Sequence, residues 1–284
     1  QSSILQLNTG KGVIIVEERI SKLAALVLDG KLYNAPRPVE YDREDLFLPE
    51  IAMSAKRFVE YVDNQEPIIT DFSTMTGSLA YDGSFEGDIF HRDGHKNFQI
   101  ACAAFYNKPL NNLSTFEWQH STADYMYILN QGLDGIFERI KKSKKYHAEE
   151  KEQQFLDGLD TVARGMLRWA AKCSSRATEK AEMCADETQK QNLIRLSETL
   201  ERIPLRPAES FYEAVLCVYF CFSFDPDSIG LADRYLYPYY KCDIENGVLT
   251  EEEAKAYLQE LFIMLQSYTQ RSSKNFTRGG ESHF

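Results

Sequence analysis

The sequence predicts a helix-rich α/β fold without an obvious internal boundary, and three observations lead there. Apolar residues recur at helical spacing through most of the second half of the chain. Residues 66–118, punctuated by Gly77, Gly83, Gly87 and Gly94, carry few such stripes and read as short strands and loops. No linker, repeat or low-complexity segment divides the 284 residues, a length that suits one large domain or two ordinary ones.

The elements follow in order. Val16, Ile20, Leu23, Val27 and Leu28 form a helical stripe that ends at Gly30, a plausible C-cap. Tyr125, Ile128, Leu129, Leu133, Ile136, Phe137 and Ile140 predict a second helix. Lys141-Lys142 and Lys144-Lys145 fall at its end, where positive charge complements the helix dipole. Phe155, Leu159, Val162, Met166, Leu167 and Ala170 give a third helix, and Leu193, Leu196 and Leu200 a fourth. Ala208 to Phe224 is apolar on nearly every face, so this helix should be buried. Ile203-Pro204-Leu205-Arg206-Pro207 is its extended lead-in, and Asp225-Pro226-Asp227 its stop. Thr250 and Glu253 form a capping box ahead of Tyr257, Leu258, Leu261, Phe262 and Leu265. Strand signals are too sparse to complete a sheet.

Composition excludes several classes. No apolar run reaches the roughly 18 residues of a membrane span. Net charge is −11 with no concentrated basic field, which argues against nucleic acid as a partner. The start, Gln1-Ser2-Ser3-Ile4, has neither Met nor a basic, apolar leader, so trimming at the front and no signal peptide are expected. Cys102, Cys173, Cys184, Cys217, Cys221 and Cys242 form no C-x-x-C pair, suggesting a reducing cytoplasm and neither a zinc site nor a disulfide framework. Cys217 and Cys221 share a helix face as small buried hydrophobes.

Three passages then carry a resemblance. The first is Gln119-His120-Ser121-Thr122-Ala123-Asp124-Tyr125 with Gly132-Leu133-Asp134-Gly135-Ile136. The second is Ile203-Pro204 through Pro207-Ala208-Glu209-Ser210-Phe211-Tyr212-Glu213-Ala214. The third runs from Ser228 through Tyr235-Leu236-Tyr237-Pro238-Tyr239-Tyr240 to Asp243-Ile244-Glu245-Asn246-Gly247 and Glu253-Ala254. In order and spacing these resemble the pyruvate formate-lyase and glycyl radical dehydratase superfamily, most closely over residues 117–270, with residues 1–116 fitting its N-terminal region less specifically.

The resemblance implies the N-terminal part of a ten-stranded α/β barrel, across residues 1–284 as one portion, with the C-terminal glycyl radical domain absent. It implies a lyase, dehydratase or formate acetyltransferase of anaerobic metabolism that cleaves C–C or C–O bonds in a small-molecule substrate. The implied cofactor is a glycyl radical of the complete enzyme, with no bound metal or organic cofactor. The implied partners are a radical S-adenosylmethionine activating enzyme, the C-terminal half of the barrel and further copies of the chain. No glycine here has the family's radical-loop context, and no cysteine its catalytic-loop context, so the chain alone should be inactive. A stand-alone scaffold or assembly subunit derived from the family is the alternative.

The resemblance also nominates site residues. His120 matches the motif histidine and could move a proton during loss of water; otherwise it only shapes a helix lead-in. Asp124 orients that ring if residue 120 lies in the first helical turn; otherwise it is an acidic residue favoured by the dipole. Ser228 and Asp233 are the substrate-binding candidates. Between them, Leu231 and Ala232 stand where the family carries arginine and phenylalanine, which points to a divergent subgroup. Asp233 with Arg234 alternatively forms a structural pair at a helix start. Tyr235, Tyr237, Tyr239 and Tyr240 read as packing with satisfied hydroxyls. His91 and His95 are separated by Gly94, which favours a loop over a metal site. Arg278-Gly279-Gly280-Glu281-Ser282-His283-Phe284 reads as a lead toward a further barrel strand.

Overall fold

The computed structural model describes residues 4–9, 12–29, 43–76, 79, 122–224 and 228–275. Gly30, most of residues 66–118, the Asp225-Pro226-Asp227 stop, His91, His95, His120 and the segment 278–284 lie outside the described residues. Within 66–76 the backbone is irregular and carries no strand.

Helix dominates. The only strands among the described residues are β1 (Ile4–Thr9) and β2 (Gly12–Glu17), an antiparallel hairpin in which Leu5 stands opposite Val16. β2 runs directly into α1 (Glu18–Leu28), which buries Ile20, Leu23 and Val27. Val16 was expected at the head of that helix and instead lies in the strand. The run Val13-Ile14-Ile15-Val16 is stiff at χ1 and favours extended backbone, so it withdraws one turn from the apolar stripe.

A short 3₁₀ turn, Arg43–Phe47, precedes α2 (Glu50–Asn64), a helix not expected from the stripes. It lies along α4 (Glu150–Met183), which also forms a hairpin with α5 (Glu187–Arg202). The hairpin is buttoned by a buried contact between the Ser174 and Ser197 hydroxyls at 2.9 Å. Phe155 and Leu159 were expected on the buried stripe of α4, yet they are 48% and 41% exposed. They border an open apolar groove with Ile136 and Ile140 of α3 (Tyr125–Ser143), because the hairpin partner on that side ends short of them. Periodicity locates a helix but not the reach of its neighbours.

The middle of the molecule is α6 (Phe211–Phe222), in which every residue but Glu213 is buried. It is flanked by α3, by α7 (Ala232–Glu245) and by α8 (Glu251–Asn275). Each of its large apolar side chains contributes about 1.5–3 kcal/mol on burial. Ser210 caps it, accepting from Glu213 N at 3.2 Å, and the buried Asp243 of α7 accepts from Phe211 N at 2.8 Å. At the head of α8 the expected capping box is present: Thr250 N donates to Glu253 at 2.9 Å, and Glu253 N to Thr250 Oγ1 at 3.2 Å.

The Pro204–Ala208 lead-in is stitched into a break in α3. Gly132 there has φ 63° and ψ −175°, so the helix is interrupted. The amides freed by the break donate outward, Leu133 N to Pro204 O at 2.9 Å and Asp134 N to Leu205 O at 3.0 Å. Ala208 N answers by donating to Leu129 O at 2.9 Å. A Cβ at residue 132 would overlap the Leu205 carbonyl, so both backbone conformation and space demand glycine. α3 is thereby fixed at its midpoint and can present its N-terminus rigidly.

Candidate active site

Two of the family-like passages, far apart in sequence, meet where the N-terminus of α3 touches the turn at Ser228–Gly230. Tyr125, only 2% exposed, donates its hydroxyl to Ser228 O at 3.2 Å. Tyr235, in the first turns of α7, donates to the next carbonyl, Ile229 O, at 2.6 Å. The two rings lie 5.5 Å apart, so one aromatic pair holds two consecutive carbonyls of the turn. Burial, reinforced by the Asp233 carboxylate, pushes the Tyr235 phenol well above its ordinary range and keeps it a donor.

The turn is closed from within. Gly230 N donates to Ser228 Oγ at 3.0 Å, and Gly230 has φ +59°. A Cβ there would stand 2.8 Å from Thr122 Cγ2, so this glycine also permits a close approach, to the strand of chain leading into α3. Accepting from Gly230 uses one lone pair of Ser228 Oγ and leaves its O–H as a donor. The surroundings can therefore offer a hydroxyl donor from a turn whose backbone is locked.

Asp124 is the N-cap of α3: its side chain accepts from Tyr127 N at 3.0 Å, and the residue is exposed. Helix begins at Tyr125, and Thr122 and Ala123 are not helical. His120 itself lies outside the described residues. Asp233 is exposed in the first turn of α7, and no ion pair joins it to Arg234 among the described residues. Leu231 is the N-cap residue of α7 and is 60% exposed. Tyr239 donates to Leu129 O at 3.2 Å and Tyr240 packs against Phe211 at 5.8 Å, as the packing reading expects, whereas Tyr237, expected to pack as well, is 59% exposed.

Tyr125 and Thr122 stand in the first family-like passage, and Tyr125 also heads an apolar stripe, but neither was singled out as a site residue, although a phenol at a helix head has a donor to place.

Among the described residues, Cys173, Cys217, Cys221 and Cys242 lie within helices and Cys184 at a C-cap. Burial pushes the Cys173 thiol well up; the hydrogen bond the Cys217 thiol donates to Cys221, and then burial, do the same for Cys217. No cluster of metal-ligating side chains occurs among the described residues, and no helix there is long and apolar enough to cross a membrane.

The family model described as "Pyruvate formate lyase-like" matches residues 104–282, well over half of the chain. The chain belongs to the pyruvate formate lyase-like family. Among curated relatives, isethionate sulfite-lyase of Bilophila wadsworthia is 31% identical over 178 residues, covering 57% of this chain and 21% of the relative. The 4-hydroxyphenylacetate decarboxylase glycyl radical subunit of Clostridioides difficile is 33% identical over 146 residues, covering 46% and 16%. The chain thus spans about a fifth of the length of the relatives it matches. Among solved structures, the glycerol-bound B12-independent glycerol dehydratase from Clostridium butyricum superposes with a TM-score of 0.68 at 20% identity, over 91% of this chain and 41% of that one. A glycyl radical enzyme from Archaeoglobus fulgidus gives 0.66 at 20% identity, over 88% and 40%. This likeness establishes the pyruvate formate lyase-like fold for the described helices. It supports no choice of substrate.

Proposed function

We propose that this chain is the N-terminal portion of a glycyl radical enzyme of the lyase or dehydratase type, cleaving a C–O or C–C bond of a small hydroxylated substrate. The observation that carries this reading is the meeting of the 122–125 and 228–233 passages, which the family resemblance nominated separately, at one aromatic-braced junction. In this reading the junction is one wall of the substrate pocket, in the N-terminal part of a ten-stranded α/β barrel. Ser228 donates its hydroxyl proton to a substrate oxygen, and Tyr125 and Tyr235 hold the turn that aims it. His120, just upstream of the α3 N-cap, protonates the departing oxygen. Asp124 fixes the helix head from which residue 120 leads in, and Asp233 flanks the turn.

In the complete enzyme the glycyl radical supplies hydrogen abstraction. In this reading, which rests on the family resemblance of the sequence, the radical machinery belongs to the rest of the barrel and the chain alone has no turnover. Exposed apolar side chains, among them Phe47, Leu231 and Tyr237 at 90%, 60% and 59%, support self-association or capture by that remaining half. A clean monomer in sedimentation over a wide concentration range would count against this.

The test is to join the chain to a C-terminal half carrying the radical glycine and the thiyl cysteine. The product is activated anaerobically with a radical S-adenosylmethionine activating enzyme and S-adenosylmethionine, then assayed with a diol panel and with pyruvate plus coenzyme A. A glycyl radical resonance and turnover of a hydroxylated substrate are expected from the completed protein, and neither from the 284-residue chain. Turnover by the chain alone, or no radical in the completed protein, contradicts the reading.

A further inference from the structure

A second concavity lies away from the α3–α7 junction. A cleft of about 500 Å³ opens where α1, the Phe72–Thr74 segment, the first turns of α5 and the start of α8 converge. Its charged lining residues are Glu18, Arg19, Lys22, Asp186, Arg195 and Glu253. Five of these already have polar partners. Lys22 pairs with Glu18 at 2.9 Å, and Arg19 donates to the buried Glu260 at 2.5 Å. Asp186 accepts from Gln189 N at 2.9 Å, and Glu253 accepts from Thr250 Oγ1 at 2.8 Å.

Arg195 differs. Its guanidinium lies over the Tyr212 ring at 4.3 Å and beside the Tyr257 ring at 5.4 Å. The guanidinium shares a hydrogen bond with the Tyr257 hydroxyl, and one terminal nitrogen reaches Asn192 Oδ1 at a long 3.3 Å. The Nε is buried and has no hydrogen-bond partner, and no carboxylate lies within ion-pair distance of Arg195 among the described residues. Less than two turns earlier on the same helix, Gln189 also lines the cleft, and its side-chain oxygen is likewise buried without a partner. Buried polar atoms are nearly always satisfied, and here an unmet donor and an unmet acceptor share one cavity. Contact with two phenol rings holds the guanidinium in place before any ligand arrives, which suits fork-like recognition of a carboxylate.

We propose that this cleft binds a small carboxylate bearing a neighbouring hydroxyl or amine, the carboxylate on Arg195 and the added donor on the Gln189 side-chain oxygen. The acids Glu18, Asp186 and Glu253 around it disfavour polyanions, so the ligand is a monoanion of 2-hydroxy acid or amino acid type. This site is separate from the Ser228 turn and does not depend on the function proposed for it.

The test uses the 284-residue chain. Calorimetry at constant ionic strength compares glycolate, acetate and glycolamide, while NMR follows the Arg195 Nε–H resonance. Glycolate is expected to bind saturably with a shift of that resonance, acetate about tenfold more weakly, and glycolamide not at all. Arg195→Lys keeps the charge but loses the fork, and should lose glycolate binding with the helical dichroism intact. Gln189→Leu, which leaves the aromatic stack untouched, should bind glycolate no better than acetate. Glycolate binding no tighter than glycolamide, or a preference for glycolate over acetate that survives Gln189→Leu, overturns the proposal.

Discussion

Two corners of the molecule are tied together in opposite ways. At the α1–α8 corner the fastening is a buried charge: Glu260, wholly inaccessible, accepts from Arg19 at 2.5 Å, Ser73 Oγ at 2.8 Å, Thr74 N at 2.7 Å and Thr74 Oγ1 at 2.6 Å. At the α3–α7 junction the fastening is neutral, two phenols donating to adjacent backbone carbonyls. A buried ion pair commits the corner to one arrangement, because losing either partner strands a charge. Phenol-to-carbonyl bonds hold the turn through neutral groups, so losing one leaves no buried charge behind. The first corner is built for cohesion and the second for presentation.

The contrast can be broken from either side, and Glu260→Ala should do most. It removes the carboxylate partner of Arg19 and the acceptor of both Thr74 N and Thr74 Oγ1, costing about 3–5 kcal/mol in denaturant unfolding. Tyr235→Phe is next: the buried Ile229 carbonyl loses its donor, at about 1–3 kcal/mol, and the loss should fall on the turn. Hydrogen exchange at Gly230 and Leu231 would rise while that of α4 and α5 stays unchanged. Gly230→Ala should cost about 1–2 kcal/mol from its left-handed backbone, plus the approach to Thr122. Adding Thr122→Ser removes the methyl it meets, and a double-mutant cycle should recover the steric part only. Asp124→Ala, losing the cap on Tyr127 N, should cost about 1 kcal/mol, and Asp124→Asn much less.

Alkali sharpens the same comparison. The Tyr235 phenol is raised in the folded protein, so the unfolded chain releases its proton first as pH climbs. Its contribution is present in full below about pH 10, the ordinary tyrosine value, and is lost as pH rises above that. Tyr212, buried beneath Arg195, is raised by burial and behaves alike. The alkaline loss should therefore shrink but not vanish in Tyr235→Phe, measured as unfolding midpoint against pH.

Local chemistry was the legible part of this fold. The Thr250–Glu253 box and the Lys141–Lys145 helix end follow from contacts within a few residues and are found in place; the buried helix expected from Ala208 is also present, but starts at Phe211, where Ser210 caps it. Lys144 adds a pairing with Asp157 across the α3–α4 turn. Fastenings between distant segments were not legible. Nothing in Glu260 announces Arg19, 241 residues away, or in Gly132 that Leu205 will press against it. Of the candidate site, the two passages were readable by resemblance, whereas their contact through Tyr125 and Thr122 depends on how α3 and α7 pack. Val16 shows the converse error, a β-branched residue that fits a helical stripe and a strand equally well until the hairpin claims it.

The most direct test of the Ser228 turn as a substrate wall is kcat/KM of the completed, activated enzyme carrying Ser228→Ala, alongside its unfolding midpoint. The account predicts a fall of about tenfold or more with a hydroxylated substrate and only a small change in midpoint. An unchanged kcat/KM would contradict it.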